Sequence, residues 1–207
     1  MVENPEKFAD KYKIKSSRLL NWDYSTPGYY FITICTYNHN NFFGKIENEK
    51  INLSKQGEIA KYELLKTFEI RKNIILGEYI IMPNHIHLII QIIFKNDTPC
   101  RDVARNVSTN IGNVSTVCKS TIKVKSRSII NGHKSLISPK IGSISVIIRS
   151  YKSAVTNSCH KHNLWFSWQS RFYDHLINNQ KELLIIKNYI INNPQNWQKD
   201  KFYIFLE

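Results

Sequence analysis

The run from Glu78 to Phe94, EYIIMPNHIHLIIQIIF, constrains the fold more than any other part of the chain. It is the longest apolar stretch, yet Pro83, Asn84, His85 and His87 interrupt it. It also falls short of the roughly 20 apolar residues that a membrane-spanning helix needs. Its content of Ile and aromatic residues and the Pro83-Asn84 break predict two strands, Glu78–Met82 and His85–Phe94. Upstream, YYFITICT (Tyr29–Thr36) follows a Pro27-Gly28 turn and predicts another strand. Between these strands, Gly57–Phe68 carries Ile59, Tyr62, Leu65 and Phe68 at spacings of three and reads as a helix. Strand, helix and two strands in succession imply an α+β sandwich with the helix on one sheet face.

The C-terminal part returns to order after a different kind of segment. Residues 96 to about 140 are crowded with Ser, Thr, Asn, Lys and Arg and contain no aromatic residue, which predicts a flexible basic insert. Ser145–Lys161 reads as a helix, Trp165–Ile177 as an aromatic stretch that is part strand, and Asn179–Asn193 as a second helix. Glu182 near the start of that helix and Pro194 just past its end are fitting boundary signals. The 207 residues suit one compact domain, 1–207, carrying the insert.

Charge narrows the partners. Lys and Arg number 29 against 16 for Asp and Glu, a formal charge of +13. Such an excess speeds encounter with polyanions, so nucleic acid or an acidic membrane surface is expected as partner. The N-terminus, with Glu3, Glu6 and Asp10, lacks the basic start and apolar core of a signal peptide. Cys35, Cys100, Cys118 and Cys159 stand far apart with no CxxC pair, which argues against a disulfide scaffold or a structural zinc site. A reducing cytoplasm is the expected compartment.

Three groups of residues are candidates for chemistry. In a strand, residues i and i+2 share a face, so His85 and His87 project side by side while Ile86, Leu88 and Ile90 face the other way. Such a pair suits two-thirds of a divalent-metal site, or else hydrogen-bonded histidines. Tyr189 lies in KNYIINNP with Asn193 one turn on. Its hydroxyl is either a covalent nucleophile or part of the packing of an amphipathic helix, with Asn193 as a metal-binding amide or a C-cap. Rings and cations interleave in WFSWQSRFY, where Trp168, Gln169 and Arg171 suit single-stranded nucleic acid or, for the rings, a core. Arg149 and Lys152, at i and i+3 of one helix, extend a phosphate-binding surface or a solvated basic face.

Taken in order, these pieces resemble one family. MPNHIHLII resembles the HUH motif of single-tyrosine transposases, two histidines flanking an apolar residue. RLLNWDYSTPGYYFITICTYNHNNFFG, SPKIGSISVIIRSYKSAVT, WQSRFYDHLINN and YIINNPQNW sharpen the resemblance to the REP-associated tyrosine transposases of bacteria. The resemblance spans most of the chain outside the leader and the basic stretch.

It implies a ferredoxin-like α+β fold of HUH-nuclease type, an antiparallel sheet with helices packed on it. It further implies that His85, His87 and Asn193 ligate Mg²⁺ or Mn²⁺ and that Tyr189 is the nucleophile. The implied activity is that of an endonuclease and strand transferase. Such an enzyme cuts and rejoins single-stranded DNA beside hairpins through a 5′-phosphotyrosine, acting as a monomer or homodimer. A domesticated protein that binds hairpins without cutting them is the alternative. Two positions depart from the family pattern: Leu88 stands where a small residue often follows the second histidine, which implies crowding of the site. Asn178 stands where a basic residue often precedes Asn179, which implies one phosphate contact fewer.

Overall fold

The computed structural model describes residues 22–93 and 140–203 together with the short segments 7–8 and 11–12. The basic stretch expected at about 96–140 therefore lies almost wholly outside the described residues. Two short strands, β1 (Lys7–Phe8) and β2 (Lys11–Tyr12), pair with each other. The main run is then β3 (Gly28–Cys35), the hairpin β4 (Gly44–Glu47) and β5 (Lys50–Leu53), α1 (Lys55–Ile70), β6 (Ile74–Ile81) and β7 (His85–Ile92). It ends with α2 (Ile144–Lys161), β8 (Tyr173–Ile177) and α3 (Gln180–Asn192).

Four strands form one sheet in the order β6-β7-β3-β8, and every neighbouring pair is antiparallel. With helices α1 and α2 as the connections, this is the ferredoxin-like α+β arrangement. The β8 strand and α3 are joined by two residues, Asn178 and Asn179.

The side-chain period of two sorts the sheet between two layers. Tyr30, Ile32 and Ile34 of β3 and Ile86, Leu88, Ile90 and Ile92 of β7 are buried in one core with Leu64 of α1 and Ile147, Ile148, Tyr151 and Val155 of α2. On the opposite face Ile89 joins Ile177, Leu183 and Ile190, with Tyr29 and Phe31 packed around them. Burial on both faces explains why β7 reads as a nearly continuous apolar run. It also places Leu88 across the sheet from the histidines, so the crowding that its bulk implied does not arise.

Three local readings of the sequence need correction. Strand β6 begins at Ile74, four residues before the expected start, and its register slips between Leu76 and Tyr79. The β4–β5 hairpin was not foreseen. Its two-residue turn places Asn48 and Glu49 at φ 50° and 61°, the primed geometry that usually advertises itself with glycine. Helix α1 turns only part of the expected face inward: Ile59 and Phe68 pack against the core, but Tyr62 and Leu65 are 60% and 46% exposed, and Gly57, Ala60, Leu64 and Thr67 are among the buried residues. Small residues win that face because the neighbouring chain comes very close. The Tyr151 hydroxyl donates to the Ala60 carbonyl at 3.1 Å, and a Cβ on Gly57 would lie 2.2 Å from the Phe43 carbonyl oxygen.

Gly57 therefore reverses a general rule. A Gly→Ala change inside a helix ordinarily gains up to about 1 kcal/mol. Gly57→Ala is expected instead to destabilise the chain by roughly 1–3 kcal/mol through overpacking, read as a lower denaturation midpoint in urea. A neutral or stabilised variant would contradict the close approach.

Candidate metal centre and nucleophile

The site forms where one end of the sheet meets α3. His85 and His87 rise from β7 on the α3 face, both essentially buried, with ring centroids 4.4 Å apart. Their orientation is fixed from behind. The Asn84 side-chain amide donates to the carbonyls of His39 and Phe202 at 3.1 and 2.7 Å, which defines its nitrogen. Its oxygen, a pure acceptor, lies 2.9 Å from Nδ1 of His85. His85 is thus the Nδ1–H tautomer, and the lone pair of its Nε2 points forward, buried and without a hydrogen-bond partner among the described residues. Thr33, the cross-strand partner of His87, holds Nδ1 of that ring through its hydroxyl at 2.9 Å. Such outer hydrogen bonds are how proteins aim imidazole ligands.

Helix α3 brings the other half. Asn179 caps its N-terminus by accepting the Glu182 N–H, and the Glu182 carboxylate accepts the Asn178 N–H. Tyr189 then points its hydroxyl to within 3.1 Å of Nε2 of His87, its ring edge-on to Phe31. Asn193 keeps helical backbone angles despite the proline that follows it, and it is buried. Its amide nitrogen donates to Asp200 Oδ2 at 3.1 Å, which leaves its Oδ1 buried and unpartnered among the described residues.

Asp200 is the residue that sequence reasoning missed. One ligating atom each from His85, His87 and Asp200 lie within 4.8 Å of one another. Asp200 Oδ1 accepts the Phe202 N–H at 2.8 Å, which fixes the carboxylate. A faint signal was available, since Asp200 is the sole carboxylate between Glu182 and Glu207 and sits between Lys199 and Lys201.

Burial governs the charges here. It presses the His85 imidazolium down to about 3, with smaller contributions from His39 and Lys201, and holds His87 well below the usual histidine range. Both rings are therefore neutral near pH 7, as ligands must be. Burial, then the Asp200 charge, pushes the Tyr189 phenol up to about 12, so it needs help to ionise. An unpaired Nε2 on His85 and an unpaired Oδ1 on Asn193, both buried and beside His87 and Asp200, fit a divalent cation. Two imidazoles and two oxygens are a mixed donor set that Mn²⁺ accepts more readily than Mg²⁺, which prefers all-oxygen shells. In front lies an open cleft of about 630 Å³, lined by Tyr189, Asn193, Asp200, Lys199 and Lys201 among others.

The expected nucleic-acid residues fall in a second cluster. Arg149, Gln169 and Arg171 are exposed. Trp168 is packed against Phe43, Tyr151 and Phe166, its indole N–H donating to the Lys152 carbonyl at 3.0 Å. Its ring serves the core, and Trp165 and Tyr173, 64% and 46% exposed, are the open rings of that stretch. The Lys152 ammonium donates to the carbonyls of Gln169 and Arg171.

An antiparallel ferredoxin-like sheet carries a histidine pair that faces a helix-borne tyrosine, and comparison with known proteins bears on the fold and the family. No family model matches the chain. A protein of Haemophilus influenzae described as uncharacterized is 32% identical over 195 residues, covering 92% of this chain and 93% of its own length. The chain belongs to the family of that protein. Its fold is similar to that of a REP-associated tyrosine transposase solved bound to a REP hairpin, with a TM-score of 0.53 and 16% identity over 91% of this chain and 77% of the other.

The buried neutral histidines carry a pH signature. In the unfolded metal-free chain they protonate near 6.5, but in the folded chain only much lower. The unfolded state therefore binds more protons between about pH 6.5 and 3, and stability falls as pH drops through that window. Denaturation of the metal-free chain from pH 7.0 to 5.5 should show this fall, and His85→Gln should flatten it. An unchanged slope in that variant would contradict the buried neutral assignment.

Proposed function

We propose that the chain is a metal-dependent DNA strand transferase of the REP-associated tyrosine transposase type, acting on single-stranded DNA beside a hairpin. The observation that carries the reading is that one ligating atom each from His85, His87 and Asp200 lie within 4.8 Å of one another, with the Tyr189 hydroxyl 3.1 Å from Nε2 of His87. The likeness to a hairpin-bound transposase supports the substrate class, and the charge of +13 supports a polyanionic partner.

In this reading His85, His87 and Asn193, joined by Asp200, hold Mg²⁺ or Mn²⁺. The bound cation supplies polarisation of the scissile phosphate and stabilisation of negative charge on its oxygens. The chain's own groups do the rest. The Tyr189 oxygen attacks phosphorus and loses its proton; the P–O3′ bond breaks, and the departing oxygen is protonated to a 3′-hydroxyl. The phosphodiester energy is conserved in a 5′-phosphotyrosine, so a second 3′-hydroxyl reverses the step and joins strands. Asp200 Oδ2, 3.5 Å from the phenol, orients its hydroxyl, and Nε2 of His87, 3.1 Å from it in the metal-free chain, turns its lone pair to the cation when one binds. Lys199 and Lys201 offer charge to the phosphate backbone at the cleft. Arg149, Gln169 and Arg171 touch DNA further out, with Lys152 and Trp168 behind them.

A 3′-labelled single-stranded hairpin with its flanks, incubated with Mn²⁺, tests this. A labelled band shifted by the mass of the chain, retained in SDS and absent from Tyr189→Phe, is expected. Tight binding with no adduct in Mn²⁺ or Mg²⁺ would make the chain a non-cleaving hairpin binder instead.

The metal assignment has a readout without DNA. Mn²⁺ should raise the thermal midpoint of the wild-type chain and leave that of His87→Ala unmoved. Asp200→Asn should weaken Mn²⁺ binding by roughly 10–100-fold, measured by titration calorimetry. Unchanged affinity would remove Asp200 from the ligand set.

A further inference from the structure

We infer that Lys152 is a positioning residue for hairpin recognition: its ammonium shapes the Trp165–Phe172 segment that presents Gln169 and Arg171, and it makes no phosphate contact of its own. The inference rests on the hairpin-binding reading above. It starts from the engagement of the ammonium with backbone carbonyls. A lysine has three N–H donors. Two are taken by the carbonyls of Gln169 at 2.6 Å and Arg171 at 2.9 Å, and the group lies 5.6 Å from the centroid of the Trp168 ring.

Two carbonyls two residues apart converge on one cation because the backbone turns between them. Arg171 has φ 64°, a left-handed conformation that a side chain with a Cβ adopts only when its surroundings hold it there. Lys152 supplies that hold from α2, and the Trp168 indole returns a hydrogen bond to the Lys152 carbonyl. The result is a closed knot between helix and loop.

The knot is seated at the metal end of the sheet. The Gln169 N–H donates to the Cys35 carbonyl, the Tyr37 N–H donates to the Ser167 carbonyl, and Thr36 pairs with Trp168 as an isolated bridge. Cys35 is the cross-strand partner of His85. The Thr36 hydroxyl donates to the Asn84 carbonyl, and Asn84 aims His85. Strand β8 starts two residues beyond Arg171, at Tyr173 opposite Thr33. A loop so anchored delivers the exposed Gln169 and Arg171 at a fixed place relative to the cleft. Without the pin, Arg171 is free to leave the left-handed region, and its charge is no longer aimed.

Salt dependence separates aiming from contact, because each phosphate contact adds about −0.9 to the slope of log K against log salt. The experiment measures binding of a labelled hairpin from the DNA flanking the gene, across a salt series. It compares wild type, Lys152→Met, Arg171→Ala and the double variant.

Arg171→Ala should weaken binding and lower the slope magnitude by about one. Lys152→Met should weaken binding by a similar factor, about 10-fold, and the double variant should be little worse than either. Additive losses, with the slope falling by about two in the double variant, would overturn the inference alone. Should Lys152→Met fail to fold, amine acylation of the wild-type chain mapped by mass spectrometry decides. A pinned Lys152 is protected relative to exposed Lys61 with or without hairpin, whereas protection appearing only with hairpin overturns the inference. A wild-type chain that binds no hairpin would overturn the proposed function and take this role with it.

Discussion

The docking of α3 against the sheet rests on few side chains. Ile89, Ile177, Leu183 and Ile190 are buried there, with Tyr29, Phe31, Ile80 and Ile186 around them. Each buried side chain contributes on the order of 2 kcal/mol by removing apolar surface from water. Those contacts set the distance from Tyr189 to His87, and the ion pair between Lys187 of α3 and Glu78 of β6, at 2.9 Å, adds a polar fastening. The larger core on the other face builds the fold; the smaller one builds the site.

The same burial that holds α3 creates the chemistry. Two imidazoles removed from water lose their affinity for protons and present lone pairs instead. A tyrosine lodged beside a carboxylate becomes harder to ionise, so a nucleophile in that position demands a cation nearby. Unsatisfied buried acceptors on His85 and Asn193 are costly in an apolar setting. Ligation of a cation would remove that cost and so tie folding to metal binding.

The sequence was most legible where a side-chain period did the work. The alternation in HIHLIIQI puts the two histidines on one face and Leu88 on the other, and the structure keeps that division. Tyr189 and Asn193 share a helix face by their spacing, and both reach the same cleft. Periodicity failed in α1, where packing depends on smallness at Gly57 and Ala60, a property that hydrophobic counting overlooks. It was silent on Asp200, Asn84 and Thr33, because a lone aspartate after a helix, an asparagine in a Pro-Asn turn and a threonine in a strand acquire their roles only through tertiary contacts. Trp168 shows the converse. The composition around it suited a stacking platform and a core equally, and the neighbouring Phe43 and Phe166 made it part of the core.

The connector between β8 and α3 is two residues long and is closed by the Asn179 cap and the Glu182 carboxylate. A tether that short keeps Tyr189, the proposed nucleophile, against the sheet that carries His85 and His87. Assembly of the centre is then a first-order event within one polypeptide, independent of concentration. In genetic terms the lesions cannot complement: a chain lacking Tyr189 and a chain lacking His87, mixed together, each still lack what the other holds.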